Sequence, residues 1–219
     1  MSCSLRDQID RPSQTRSPIL YVLCSRDNQI EDQIEVLNRD YTGTGLKFNL
    51  VNTTRIENAE WFEKVGPKTP EQIAMKKRLR SGGPDILNVF TVSFDSRHGL
   101  LGYATLPSDY RNNPGDDGVV IRYSTLPGSI LSPMNLGRTL THEVGHWVGL
   151  YHTFEGGCYG SGDYVSDTPS EAVPASGCPG KRDTCESEGF DRKFGPALTE
   201  VIRGAESLPS RLQLYGLYR

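Results

Sequence analysis

Long hydrophobic runs are missing from this 219-residue chain, and so is any block of one charge. The stretch "ILYVLC" is among the longest apolar runs and falls far short of the ~20 residues that cross a bilayer, so no membrane span is expected. The 24 Lys and Arg are matched by 27 Asp and Glu, and a net charge of −3 gives nucleic acid or an anionic lipid surface no basic footprint to bind. The polar start "MSCSLRDQIDRPSQ" lacks a hydrophobic signal core, so no export route is visible. Histidine is scarce at 4 residues and methionine scarcer at 3, and Met1, Met75 and Met134 all lie in the first two thirds of the chain. What is present, with 36% hydrophobic residues, fits one globular domain, with room for two lobes around a cleft.

Cysteines stand at 3, 24, 158, 178 and 185, the last three in a region rich in Gly, Ser and Pro. No helix or strand would hold such a backbone, so the clustering predicts a disulfide-stapled loop made in an oxidising compartment. The odd count leaves one thiol over, and Cys24 reads as a buried thiol rather than a metal ligand.

Residues 1–17 are polar and aperiodic and are expected to be disordered. Order is expected to begin with a strand at 19–23. "NQIEDQIEVLNRDY" spaces Ile30, Ile34, Leu37 and Tyr41 as one apolar helical stripe, with Asn28 and Glu31 placed for a capping box. "LKFNLV" alternates Leu46, Phe48 and Leu50 with polar neighbours, which predicts a strand with one buried face. Thr69, Pro70 and Gln72 announce a second helix that should stop at Gly82 and Gly83. "DILNVFTVSF" is apolar nearly throughout, as a strand covered on both faces would be, and "LLGYATLP" and "GVVIRY" are shorter strand candidates. Alternating strands and helices point to an α/β layer with parallel pairing.

The stretch "TLTHEVGHWVGLYH" (residues 139–152) concentrates three of the four histidines. At 100° per residue His142 and His146 lie about 40° apart on a helix, while Leu140, Val144, Trp147 and Val148 form the opposite, apolar face. One turn apart, the two imidazoles can share a metal ion. A continued helix would carry His152 about 15 Å along the axis from His142, out of reach of bonds about 2.0–2.1 Å long. The chain must therefore turn back, and Gly149 is the residue that can take the left-handed conformation needed. Three imidazoles leave a coordination position open, as in a catalytic rather than a structural zinc site. Glu143 stands beside the histidine stripe, where it would accept a proton from an attacking water and pass it to a departing amine. His98, in a Ser-Arg-His-Gly turn, reads as a solvated loop residue.

"HEVGHWVGLYH" resembles the long zinc signature of the metzincin peptidases. The following "GDYVSDTPSE" and "GCPGKRDTC", with "QIEVLNRDY", "LNVFTVSF", "LLGYATLPSDY" and "DGVVI" upstream, resemble the pappalysin or cytophagalysin branch, in particular secreted fungal extracellular metalloproteases. The likeness runs from about residue 28 to residue 185. It implies an α/β (α+β) metzincin-like fold: a twisted mixed sheet with two long helices, one carrying the zinc signature, above a small irregular lower lobe. Zinc would be bound by His142, His146 and His152, with Glu143 as general base. The edge strand Leu100, Leu101, Gly102, Tyr103 and Ala104 would pair with an extended protein or peptide substrate. Cys158 and Cys185 would staple the lower lobe, and Asp163 and Asp167 could hold calcium. The resemblance also implies an extracellular, monomeric enzyme that cuts internal peptide bonds.

The likeness ends abruptly after Cys185. Metzincins place a methionine turn beneath the three histidines, and no methionine follows residue 134 here. The family pattern also offers Cys178 a downstream partner that this chain lacks. The expected organisation is a disordered segment at 1–17, an upper catalytic lobe at 18–152, a stapled lower-lobe loop at 153–185 that is truncated, and an atypical tail at 186–219. Within that tail "ALTEVIRG" has helix-forming character. The alternative function is a zinc- or peptide-binding pseudo-protease, because a loosely supported trio loses metal affinity or activity.

Overall fold

A computed structural model describes residues 27–160, 162–165, 168–175 and 182–185, together with the backbone of 210–218. The strand expected at 19–23, the disordered segment 1–17, Cys3, Cys24, Asp167, Cys178 and "ALTEVIRG" lie outside the described residues.

Helix α1 (Asp27–Asp40) forms where the apolar stripe predicts it and buries Ile30 and Leu37. Strand β1 (Phe48–Glu57) begins within the predicted stretch but breaks its alternation: Leu46 and Phe48 are buried, whereas Leu50 is 38% exposed. A register shift between Leu50 and Asn52 inserts Val51 as an extra residue, and a bulge of this kind reverses which face each later side chain occupies. The short helix α2 (Ala59–Lys64) is capped by the Asn58 side chain, which accepts from the Trp61 N–H. Helix α3 (Pro70–Leu79) starts as predicted, with Thr69 as N-cap accepting from the Gln72 N–H. It ends before the two glycines, because Arg80 already adopts ψ 136° and sends its guanidinium back to the carbonyls of Gly82 and Gly83.

Strand β2 (Ile86–Val92) is buried along its whole length, as its uninterrupted apolar sequence requires. Strand β3 (Gly102–Ala104), helix α4 (Pro107–Tyr110), strand β4 (Val119–Arg122), helix α5 (Arg138–Trp147) and strand β5 (Ser210–Tyr218) complete the regular elements described. The sheet runs β1-β5-β2-β4-β3. Its first four members are parallel neighbours, and β3 pairs antiparallel to β4 at the edge. The tail thus supplies a central strand: β5 lies between β1 and β2. Nothing in the local sequence singled out 210–218, because a parallel strand is chosen by its neighbours rather than by its own turn signals.

Two apolar layers sandwich the sheet. On one side α1 and α5 bury Leu37, Tyr41, Phe48, Leu87, Val89, Ile121, Leu140, Val144 and Trp147 in one cluster. On the other, Phe62, Val65 and Met75 pack with Phe90, Val92, Phe94 and Val120. Among the described residues no helix is long and apolar enough to cross a membrane.

Candidate metal centre

Helix α5 is fixed at both ends by contacts with the rest of the fold. At its start Gly137 takes φ 78°, and its carbonyl accepts from the buried Gln33 amide at 3.0 Å. One turn later the Tyr41 hydroxyl donates to the Thr141 carbonyl at 3.0 Å, and the Thr141 hydroxyl donates to Asp40 at 2.8 Å. Arg138 closes this corner by an ion pair with the same Asp40 carboxylate. At its end the Trp147 indole N–H donates to Asp117 at 2.9 Å. Asp117 is buried and also receives Thr105 and Arg80, so the end of α5 and the residues that follow β3 and α3 meet at one carboxylate.

After Trp147 the backbone turns at Gly149 (φ 107°), whose N–H donates to the His146 carbonyl at 2.9 Å while the Leu150 N–H reaches the Gly145 carbonyl at 2.9 Å. A side chain at that φ would be strained, so glycine permits the reversal predicted from the spacing. The reversal brings His152 back to the helix. The Nε2 atoms of His142 and His146 are 3.1 Å apart, those of His146 and His152 3.1 Å, and those of His142 and His152 3.4 Å. Bonds of about 2.0–2.1 Å to one tetrahedral ion would set three nitrogens about 3.3 Å apart, so the trio fits zinc. Among the described residues it is the only group of three His, Cys, Asp or Glu side chains close enough to hold a metal.

Supporting contacts orient each ring. His146 Nδ1 lies 2.7 Å from the Leu150 carbonyl, a bond that requires a proton on Nδ1 and leaves Nε2 free to ligate. His152 stacks on Phe154, with centroids 4.6 Å apart and planes 16° from parallel, and its Nδ1 is 4.0 Å from Glu155. Burial, reinforced by its two histidine neighbours, pushes His142 down to about 4, and burial also lowers His152. Neutral imidazole is the ligating form, so both effects favour metal over proton near neutral pH.

Glu143 is 6% exposed, and burial lifts its carboxyl to about 8. Its side chain lies against Gly102 of the edge strand. On that strand Gly102 and Ala104 face α5, whereas Tyr103 turns to the opposite layer, with its ring 5.9 Å from Phe94 and the Lys76 ammonium 5.8 Å from its centroid. The Tyr103 side chain is therefore removed from the cleft and only its backbone remains on the edge. Leu100 and Leu101 are half-buried, and their carbonyls accept from Arg122 at 3.0 and 2.7 Å on the β4 side.

Past His152 the chain lacks helices and strands up to residue 175 apart from a 3₁₀ turn, Gly157–Tyr159, among the described residues. Cys158 and Cys185 are joined across a separation of 27 residues. Buried Glu171 pairs with Arg182 at 3.2 Å, and its N–H donates to the Thr153 carbonyl at 3.2 Å. Asp163 accepts from the Val165 N–H at 3.0 Å, the bond of a turn former. Phe154, Leu150 and Asp117 escaped the sequence reading. Only the "HTF" spacing hinted at Phe154, since a side chain two residues from a ligand can return to its ring.

Residues 87–194 match the Peptidase_M43 family model, described as pregnancy-associated plasma protein-A. That segment belongs to the pappalysin family. Extracellular metalloprotease 1 of Coccidioides posadasii is 46% identical over 170 residues, which cover 75% of this chain and 58% of that protein. The extracellular metalloprotease of Colletotrichum graminicola is 44% identical over 167 residues, covering 74% of the chain and 56% of the relative. The chain thus spans a little over half the length of these curated relatives. Among solved structures, mature mirolysin of Tannerella forsythia in complex with a cleaved peptide is similar at a TM-score of 0.53 and 29% identity, over 76% of this chain and 74% of that one. The fold is accordingly the metzincin-like mixed α/β arrangement that the signature implied. The match to this metalloprotease family implies a metal, and the histidine trio is suited to hold it.

Proposed function

We propose that this chain is a zinc-dependent metalloendopeptidase that hydrolyses internal peptide bonds of proteins outside the cell. The observation that carries the reading is the convergence of His142, His146 and His152, with Nε2 separations of 3.1–3.4 Å, in a trio directly flanked by the buried Glu143. The three histidines would hold the ion, which would supply Lewis-acid polarisation of a carbonyl and acidify water. Glu143 accepts the proton of the attacking water and delivers it to the leaving amine nitrogen as the C–N bond breaks. The free edge of β3 aligns an extended substrate by backbone pairing, which suits peptide bonds within a chain. The names of the fungal relatives support both the protease reading and the extracellular location.

The experiment measures zinc content and hydrolysis of a denatured protein for the wild type and for Glu143→Ala. Zinc retained by both, with turnover lost in the variant, is the expected result. Turnover that survives in Glu143→Ala refutes the role of that carboxylate. A second reading, a zinc- or peptide-binding pseudo-protease, draws on the methionines: Met75 is buried in the layer behind the sheet and Met134 is 47% exposed, so neither floors the histidines. Stoichiometric zinc without turnover in the wild type selects it.

A further inference from the structure

Gly102 occupies the point where the edge strand meets α5. A Cβ built there would lie 2.8 Å from Glu143 Cγ, 2.9 Å from Oε1 and 3.1 Å from Cδ. All three atoms belong to one side chain, and that residue is 6% exposed. The backbone does not explain the glycine. Its φ lies outside the left-handed range, unlike Gly137 or Gly149, so any L residue could adopt the strand conformation. Space is what the position requires.

We infer that Gly102 is a positioning residue for Glu143: the bare backbone of β3 forms the wall against which the general-base carboxylate rests. The inference rests on the peptidase reading for its catalytic consequence, but its geometry stands apart from activity. Glu143 has little freedom to retreat. Leu140 and Val144, its neighbours on α5, are buried in the core, and α5 is tied down at Thr141 and Trp147. An added methyl must therefore turn the side chain about χ1, since Cγ is the nearest atom, and the carboxylate moves with it. A displacement of a few tenths of an ångström to an ångström matters for a proton-transfer group whose reach is about 2.6–3.2 Å.

The same change leaves the backbone N–H and C=O of residue 102 intact. Substrate pairing along the edge uses those groups, so the two roles of this position separate: methyl addition affects the chemical step and spares alignment. Ala104, the other small residue on this face, packs against the apolar cluster.

A double-mutant cycle tests the idea. Gly102→Ala, Glu143→Ala and the double variant are melted as metal-free proteins, and zinc content and steady-state kinetics are measured for Gly102→Ala and the wild type. The expected result is a drop of about 3 °C or more for Gly102→Ala in the presence of Glu143, and less than about 1 °C in the Glu143→Ala background, where the opposing atoms are gone. In the zinc-loaded proteins kcat falls about tenfold or more, KM stays within about twofold and zinc content is unchanged. An equal drop in both backgrounds overturns the inference, because something other than the Glu143 side chain then opposes the methyl. A change confined to KM also overturns it, assigning residue 102 to substrate alignment alone. If neither zinc-loaded protein turns over, the peptidase reading fails while the melting cycle still decides the contact.

Discussion

The two walls of the histidine cleft are held in different ways. One wall, α5 on the sheet, is secured by distributed apolar burial: Leu140 and Val144 are fully buried, and the helix is tied through Asp40 to α1 and through Asp117 to the residues that follow β3 and α3. The other, the segment after His152, has no helix or strand up to residue 175 beyond a 3₁₀ turn among the described residues, and it is cross-linked by the Cys158–Cys185 disulfide and the Glu171–Arg182 pair. Two of the three histidines sit on the first wall. The third, His152, stands at the junction and is steadied from the second by Phe154. Rigidity at this site is thus shared between a core that fails globally and a staple that fails locally.

Removing residues 210–219 has the largest expected effect on that contrast. Among the described residues β5 is the strand that links β1 to β2, so the truncated chain should lose its cooperative thermal transition and its stabilisation by zinc. A sharp melt with intact zinc uptake after truncation would show that the first wall does not need the tail. Leu140→Ala comes next: emptying a fully buried site on α5 should lower global stability by about 2–5 kcal/mol in denaturant titrations, with His152 lost along with the rest.

Replacing Cys158 and Cys185 together by serine opens a loop spanning 27 residues, for which chain entropy predicts a loss of about 3–4 kcal/mol. That loss should stay in the second wall. Amides of the segment after His152 should exchange faster while those of α5 hold their protection, and equal acceleration in both would break the distinction. The smallest effect concerns protonation of the metal-free protein. Glu143 is raised from 4.5 to about 8, so between these values the folded chain holds a proton that the unfolded chain has released. Stability from this group is complete below about pH 4.5 and is lost as pH rises through about 8. His142, lowered from 6.5 to about 4, acts oppositely: its contribution is present above 6.5 and lost as pH falls through about 4. Glu143→Gln should therefore gain about 1 kcal/mol or more over the wild type at pH 8 in the presence of chelator, a gain that vanishes near pH 4 while the acid limb persists. A gain independent of pH would assign it to packing.

Local patterns were legible where they answer to local physics. The α1 stripe, the Thr69 cap, the buried run of β2 and the reversal at Gly149 each follow from periodicity, a side-chain hydrogen bond or a permitted φ, and each is present. Leu50 keeps the register of Phe48 yet is exposed, because burial depends on what covers each position of a strand, which periodicity in one strand does not report. α2 went unnoticed, six residues being too few to display a helical stripe. The carboxylate of Asp117, where Trp147, Thr105 and Arg80 meet, has no signature in its Asp-Asp-Gly surroundings.

By itself the sequence determined which residues can converge on a metal, since helical spacing and one glycine dictate where three imidazoles go within a single short stretch. Only the tertiary structure decided what surrounds them: the glycine that admits Glu143, the phenylalanine that stacks on His152, and the distant strand that completes the sheet. The reason is range. Torsions and hydrogen bonds between near neighbours are encoded where they act, whereas contacts across the fold exist only after burial has selected which surfaces meet.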